Sequence, residues 1–196
     1  MEKDEFLTIS APSEGFYSEL RSKFLAFSYH VADEESVKCE ISELKRKFHD
    51  ARHVAYAYII GVEGNVYRAN DDGEPSGTAG RPILGQIKSV GLTDTLVAVV
   101  RYFGGVKLGT SRLAEAYKLA AADALEKSGK KMCLVEEVLT LRFGDERMTA
   151  VMKAVKDAGV KIVENGYDDN CILKVSMRKS VVESFCECLD RTIKVE

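Results

Sequence analysis

The sequence predicts a mixed α/β (α+β) chain of two domains, and three observations predict it. Helical stripes and strand-like runs alternate from end to end. One apolar run, Leu96-Val97-Ala98-Val99-Val100, reads as a strand buried on both faces. Residues 136–196 read β-α-β-β-α-β, the ferredoxin-like order. A chain of 196 residues is long enough for one large domain or two small ones. The expected division is 1–133 and 136–196, with the boundary in Lys130 to Val135 and no flexible Gly/Ser linker.

Each element has a local reason. Phe6 to Ser10 alternates weakly and predicts a first strand. Glu14 to Val31 is rich in aromatic and β-branched residues, and predicts one or two strands with a turn near Arg21-Ser22-Lys23. Asp33 can cap a helix running to His49, with Glu34 and Glu35 at its positive end and Lys45, Arg46 and Lys47 at its negative end. Val37, Ile41, Leu44 and Phe48 then form one stripe. Val54 to Val62 predicts a strand, and Val66 to Ala69 its hairpin partner across Glu63-Gly64-Asn65. Ile83 to Val90 has helical spacing. Thr95 to Phe103 is the apolar strand.

Thr110 or Ser111 is expected to cap the next helix, which runs to Ser128. Its face of Leu113, Ala116, Tyr117, Ala120, Ala124 and Leu125 is thin enough to sit close on a sheet, and Gly129 ends it. In the last domain, Glu136 to Phe143 is a strand. Asp145 is expected to cap a helix with Met148, Val151, Met152 and Val155 inward. Val160 to Tyr167 and Cys171 to Met177 are strands. Ser180 and Glu183 read as a capping box before Val182, Phe185, Cys186 and Leu189. Thr192 to Val195 closes the chain.

Composition removes several function classes. The net charge is −3 with 30% charged residues, so a global basic excess for nucleic acid is absent and only a local patch could serve. No apolar run is long enough to span a bilayer, and the N-terminus has no signal-like apolar segment. The five cysteines (Cys39, Cys133, Cys171, Cys186 and Cys188) have no metal-site spacing and read as reduced thiols in a cytoplasmic protein.

The functional face is expected in two loops flanking the apolar strand. The first is Asp71-Asp72-Gly73-Glu74-Pro75-Ser76-Gly77-Thr78-Ala79-Gly80-Arg81-Pro82. The second is Gly104-Gly105-Val106-Lys107-Leu108-Gly109, which leads into a helix start where free N–H groups favour anions. It is neither a P-loop nor GxGxxG. The candidate anion or nucleic-acid contacts are Arg81, Arg101, Gly104, Gly105, Lys107, Gly109, Thr110 and Arg112. Asp71, Asp72 and Glu74 could bind a hard cation or do acid/base chemistry. The blander reading makes them turn residues or internal partners of Arg81 and Arg101, and no metal site is expected. His53 reads as a structural side chain, and Tyr56, Tyr67, Tyr102 and Phe103 as packing residues that could also stack on bases. No Ser/His/Asp or Cys/His nucleophile can be assembled.

The segments DDGEPSGTAGRP and RYFGGVKLGTSRLAEAY resemble the paired signature of the IMPACT family in its bacterial, YigZ-type form, and the resemblance covers the whole chain. It implies an N-terminal ribosomal protein S5 domain 2-like fold and a C-terminal domain similar to the last domain of elongation factor G. Both of those relatives contact ribosomal RNA. Eukaryotic members act in translational control, competing for a large kinase activator through an additional RWD domain. No stretch here reads as an RWD domain, so that partner is not expected. One departure stands out: Ser111 and Arg112 occupy positions where the family has Gly-Gly, and Glu115 one where it has Arg. The resemblance implies a non-enzymatic protein without cofactor that binds RNA or the ribosome and modulates translation. The alternatives are a metal-dependent enzyme using Asp71, Asp72 and Glu74 near His53, and an adaptor that binds a protein partner through the C-terminal sheet. No membrane association is expected.

Overall fold

The apolar run from Leu96 to Val100 lies at the centre of the first sheet. The computed structural model describes residues 4–196. In chain order these form β1 (Glu5–Ile9), β2 (Ser13–Glu19), β3 (Ser22–His30), α1 (Glu34–Lys47), β4 (His53–Ile60), β5 (Val66–Asn70), α2 (Gly80–Val90), β6 (Thr95–Tyr102) and α3 (Gly109–Ser128). They continue with β7 (Lys130–Leu134), β8 (Glu136–Phe143), α4 (Met148–Asp157), β9 (Lys161–Tyr167), β10 (Cys171–Arg178), α5 (Lys179–Cys188) and β11 (Lys194–Val195). The chain divides into two units, Phe6–Cys133 and Leu134–Glu196, the second also taking residues 4 and 5.

In the first unit a five-stranded sheet has the order β2-β3-β6-β4-β5. Every pairing in it is antiparallel. Antiparallel sheets often leave one face to water. This one does not, because β6 is apolar on both faces and each face has its own cover. Leu96, Ala98 and Val100 pack with Val37, Ile41 and Leu44 of α1. Val97 and Val99 pack with Ile83 and Ile87 of α2 and with Leu113, Ala116, Tyr117 and Ala120 of α3. The two-residue period of the strand thus divides one run between two cores.

The alanine face of α3 packs tightly, as its composition predicts. A Cβ on Gly15 of β2 would stand 2.4 Å from the Ala124 backbone nitrogen and 2.7 Å from the Ala120 carbonyl oxygen. Ser13 Oγ lies 2.5 Å from the Ala124 carbonyl, bonding strand to helix directly. The Asp33 cap is present, with its carboxylate accepting the Ser36 N–H at 2.7 Å.

Several local expectations are corrected. α2 starts at Gly80, so Arg81 and Pro82 lie in its first turn rather than in the loop; proline fits there because its missing N–H would have had no helical partner. Neither Thr110 nor Ser111 caps α3. Leu108 is the N-cap, and burial of its side chain in the core sets the helix start. Lys130 to Val135, read from the sequence as the domain boundary, carries a strand, and β7 pairs with β1. The N–H groups of Ser10 and Ala11 bond the carbonyls of Gly129 and Ser128 at 3.3 and 3.2 Å, which lays the two stretches side by side.

In the second unit the sheet order is β11-β8-β10-β9, all antiparallel, so β8 and β10 lie in the centre. Leu139, Leu141, Leu173 and Val175 meet Val151 and Val155 of α4 and Phe185 of α5. Asp145 does not cap α4. A short 3-10 turn, Asp145–Arg147, comes first, and the Asp145 carboxylate lies 2.9 Å from Cys171 Sγ instead. Met148 and Met152 stay 39% and 41% exposed rather than turning inward, because Val151 and Val155 fill the core side. Ser180 and Glu183 form no capping box. The helix opens one residue earlier, and the Asp4 carboxylate takes the Ser180 N–H at 2.9 Å and its hydroxyl at 2.8 Å.

Candidate functional site

The three carboxylates of the first loop point to three different tasks. Asp71 folds the loop on itself: its oxygens accept the N–H groups of Gly77, Ala79 and Gly80 at 2.8, 3.0 and 2.8 Å. Burial pushes its carboxyl up, but those N–H groups together outweigh burial and hold it below the ordinary carboxylate range. Asp72 joins the loop to the sheet and to α1, accepting the Val54 N–H at 2.7 Å and pairing with Lys45 at 2.7 Å. Glu74 turns inward. It pairs with Arg101 at 2.6 Å and accepts the Tyr117 hydroxyl at 2.8 Å. Burial, followed by the charge of Glu74 and this hydrogen bond, pushes the Tyr117 phenol well up. The loop is thus built from internal partners, as the blander reading expects for Arg101. Among the described residues no group of three His, Cys, Asp or Glu side chains stands close enough to share a metal.

The second loop leaves β6 beside the turn between β2 and β3. A Cβ on Gly104 would stand 2.1 Å from the Arg21 carbonyl carbon and 2.3 Å from the Ser22 nitrogen, so only glycine passes. The Gly104 N–H donates to Ser22 Oγ at 3.1 Å. Beyond it the chain enters α3 with no side-chain cap and no acidic residue in the first turn. The first N–H groups of any helix have no intrahelical acceptor and carry the positive end of its dipole.

These pieces enclose a pocket of about 400 Å³. Arg52 and His53 line it at the start of β4, Glu74 and Pro75 from the first loop, and Arg101 from β6. Phe103, Lys107 and Leu108 line it from the second loop, and Gly109, Thr110 and Leu113 from α3. Antiparallel pairing sets His53 opposite Arg101, which brings the start of β4 to the end of β6. His53 Nδ1 donates to the Asp72 carbonyl at 2.7 Å, leaving Nε2 as the ring's other polar atom. Arg101 is buried, with 9% of its side chain exposed, and its Nε has no hydrogen-bond partner. Its guanidinium lies 5.7 Å from the Phe103 ring centroid. Arg52, Lys107 and Arg112 are exposed and enter no ion pair among the described residues.

Of the predicted contacts, Arg101, Lys107, Gly109 and Thr110 meet in this pocket. Gly104, Gly105, Arg81 and Arg112 do not line it. Arg81 and Arg112 lie exposed in the first turns of α2 and α3. Arg101 is no exposed point charge, because Glu74 occupies one edge of its guanidinium. Sequence reasoning missed Arg52 and kept His53 and Phe103 as structural or packing residues. Nothing in sequence spacing marks Arg52; only the pairing of β4 with β6 puts it at this mouth. Phe103 is 52% exposed, so the packing expectation for it fails. The remaining aromatics have other tasks: Tyr102 donates to Asp50 at 2.8 Å, and Tyr67 lies beneath Lys88.

The fold and this pocket define a mixed α/β protein with a cationic cleft where a long helix begins. The Impact N-terminal domain family matches residues 20–125, which spans both loops and the whole pocket. The chain belongs to the IMPACT family. It is 40% identical over 167 residues to the IMPACT family member YvyE of Bacillus subtilis, covering 85% of this chain and 77% of that one. It is 30% identical over 169 residues to the IMPACT family member YigZ of Escherichia coli, covering 84% and 82%. A crystal structure described only as that of a hypothetical protein superposes with a TM-score of 0.77 at 26% identity, covering 99% of this chain and 97% of the other.

Proposed function

We propose that this protein binds RNA, on the ribosome, and thereby modulates translation in the cytoplasm. One observation carries the reading: exposed, unpaired cations surround an uncapped helix start in the family's own signature segment. Lys107 precedes the first turn of α3, Arg112 lies in it, and Arg52 lines the same pocket as Lys107. A phosphate backbone would be met there by point charges and helix N–H groups together. A net charge of −3 makes the patch local, so contact would be confined to this face. The five free cysteines suit a reducing compartment. Among the described residues no helix is long and apolar enough to cross a membrane.

The test is co-sedimentation with ribosomes at low and moderate salt. Binding should weaken steeply with salt, because each neutralised phosphate releases counterions. Lys107→Ala and Arg112→Ala should each weaken it and flatten the salt slope by about one. Salt-insensitive binding, or affinity untouched in both variants, would refute the reading.

A second reading has its own observation. In the second unit β9 is an edge strand with Ile162, Val163 and Tyr167 exposed at 39%, 55% and 70%. An edge with apolar side chains suits addition of a partner's strand. Val163→Lys with Tyr167→Lys should abolish capture of a protein partner and leave RNA binding intact. The pairing of Asp72 with Lys45, of Glu74 with Arg101 and of Asp71 with the loop backbone weighs against the metal-enzyme alternative.

A further inference from the structure

The pocket is larger, and its lining more mixed, than a bare anion needs. Its volume of about 400 Å³ falls in the range of small-molecule sites, roughly 300–1,000 Å³. The first turn of α3, Lys107 and Arg52 supply charge and N–H groups; Phe103, Pro75, Leu108 and Leu113 supply apolar surface. Arg101, also in the lining, is nine-tenths buried with Nε unpartnered, although Glu74 already takes another edge of the guanidinium. A buried donor without an acceptor is costly in a folded protein unless something supplies one. Arg101 and the uncapped first turn of α3 line the same cavity. The charges converging there are Arg52, Lys107 and Arg101 against Glu74, an excess of positive charge even with His53 neutral.

We infer that this pocket binds a nucleoside monophosphate unit, with the phosphate at the start of α3 and the planar base against Phe103. The phosphate meets the N–H groups of the first helical turn and the Lys107 ammonium, with the Arg52 and Arg101 guanidinium groups adding positive charge to the lining. Two dissociable oxygens on a monoester match the local excess of charge better than a phosphodiester does. Phe103, already half exposed and lying beneath the Arg101 guanidinium, gives the base a face to stack on. The unit is either a free mononucleotide or the phosphorylated end of an RNA strand, since both present the same groups. The inference rests on the reading that this face meets phosphate, and it adds a chain end where that reading requires only a backbone.

The experiment is calorimetric titration of the full chain with adenosine and uridine monophosphates, the matching nucleosides and inorganic phosphate. Short RNA oligonucleotides with a 5′-phosphate or a 5′-hydroxyl complete the set. The monophosphates should bind and the nucleosides should not. Phe103→Ala should weaken the monophosphates about tenfold or more while leaving inorganic phosphate unchanged. Lys107→Ala should weaken both. Both side chains are exposed, so neither variant should alter the circular dichroism spectrum. Preference for 5′-phosphorylated over 5′-hydroxyl RNA marks the chain end as ligand; binding of mononucleotides alone marks the free compound. If hydroxyl-ended RNA binds with steep salt dependence and no monophosphate or 5′-phosphate adds to it, the inference fails and the RNA reading stands. If nothing binds, both fail.

Discussion

Removing the carboxylate of Glu74 should cost more than removing any exposed acid. Its side chain is 4% exposed, that of Arg101 is 9% exposed, and their closest atoms are 2.6 Å apart. Glu74→Ala strands the Arg101 cation in the core and deprives the Tyr117 hydroxyl of its acceptor, which lies at 2.8 Å. Breaking a buried pair from one side costs about 3–5 kcal/mol, because the remaining charge is unpaired in low dielectric. That is a large share of a total stability of about 5–15 kcal/mol. Glu115→Ala is the control. Its pair with Lys118 is 3.3 Å long and about half exposed on both sides, so the loss should stay below about 0.5 kcal/mol. The chain has no tryptophan, so urea unfolding is best followed by circular dichroism. Hydrogen exchange at Thr95–Tyr102 would report on the first unit alone. Replacing Glu74 and Arg101 together by methionine should recover most of the loss, because no charge is then stranded. A Glu74→Ala unfolding free energy within about 1 kcal/mol of the parent would refute the assignment of this pair as buried and coupled.

Gly15→Ala drives a Cβ into the α3 backbone, 2.4 Å from the Ala124 nitrogen, and should lower stability by about 1–3 kcal/mol or more in the same urea experiment. Asp71→Asn cannot accept all three loop N–H groups and should be less stable at neutral pH by about 1–3 kcal/mol. Because the folded pKa of Asp71 is lowered from 3.8, its contribution is present above that value and lost as pH falls through the folded pKa; parent and variant melting temperatures should therefore converge in acid. Asp4→Ala removes the acceptor for the Ser180 N–H and hydroxyl, and should speed hydrogen exchange in the first turn of α5 while leaving Thr95–Tyr102 unchanged.

What was legible in the sequence was whatever repeats along the chain. The α1 stripe of Val37, Ile41 and Leu44, the alanine face of α3 and the doubly buried run in β6 each have a period, and each is buried as that period requires. What failed was set by single contacts from residues distant in sequence. Ser180 and Glu183 fit a capping pattern, yet an aspartate 176 positions earlier occupies the site. Thr110 and Ser111 fit a cap, yet burial of Leu108 fixes the helix start before them. Propensity ranks local solutions, and a tertiary partner overrides it whenever it satisfies the same orphan N–H group at lower cost.

The candidate site divides along the same line. Its glycines and lysine were visible because unusual composition concentrates in two loops. Its depth was not, because the pocket exists only where the start of β4 pairs with the end of β6. That pairing brings Arg52 and His53 to Arg101, and Glu74 then determines what Arg101 can do. A carboxylate that read as a metal ligand in sequence holds a guanidinium in place, leaving one N–H edge without a partner. The acidic signature segment therefore serves the basic one: its charge goes to folding the loop and holding Arg101, while Lys107 and Arg112 stay exposed and unpaired among the described residues at the start of α3.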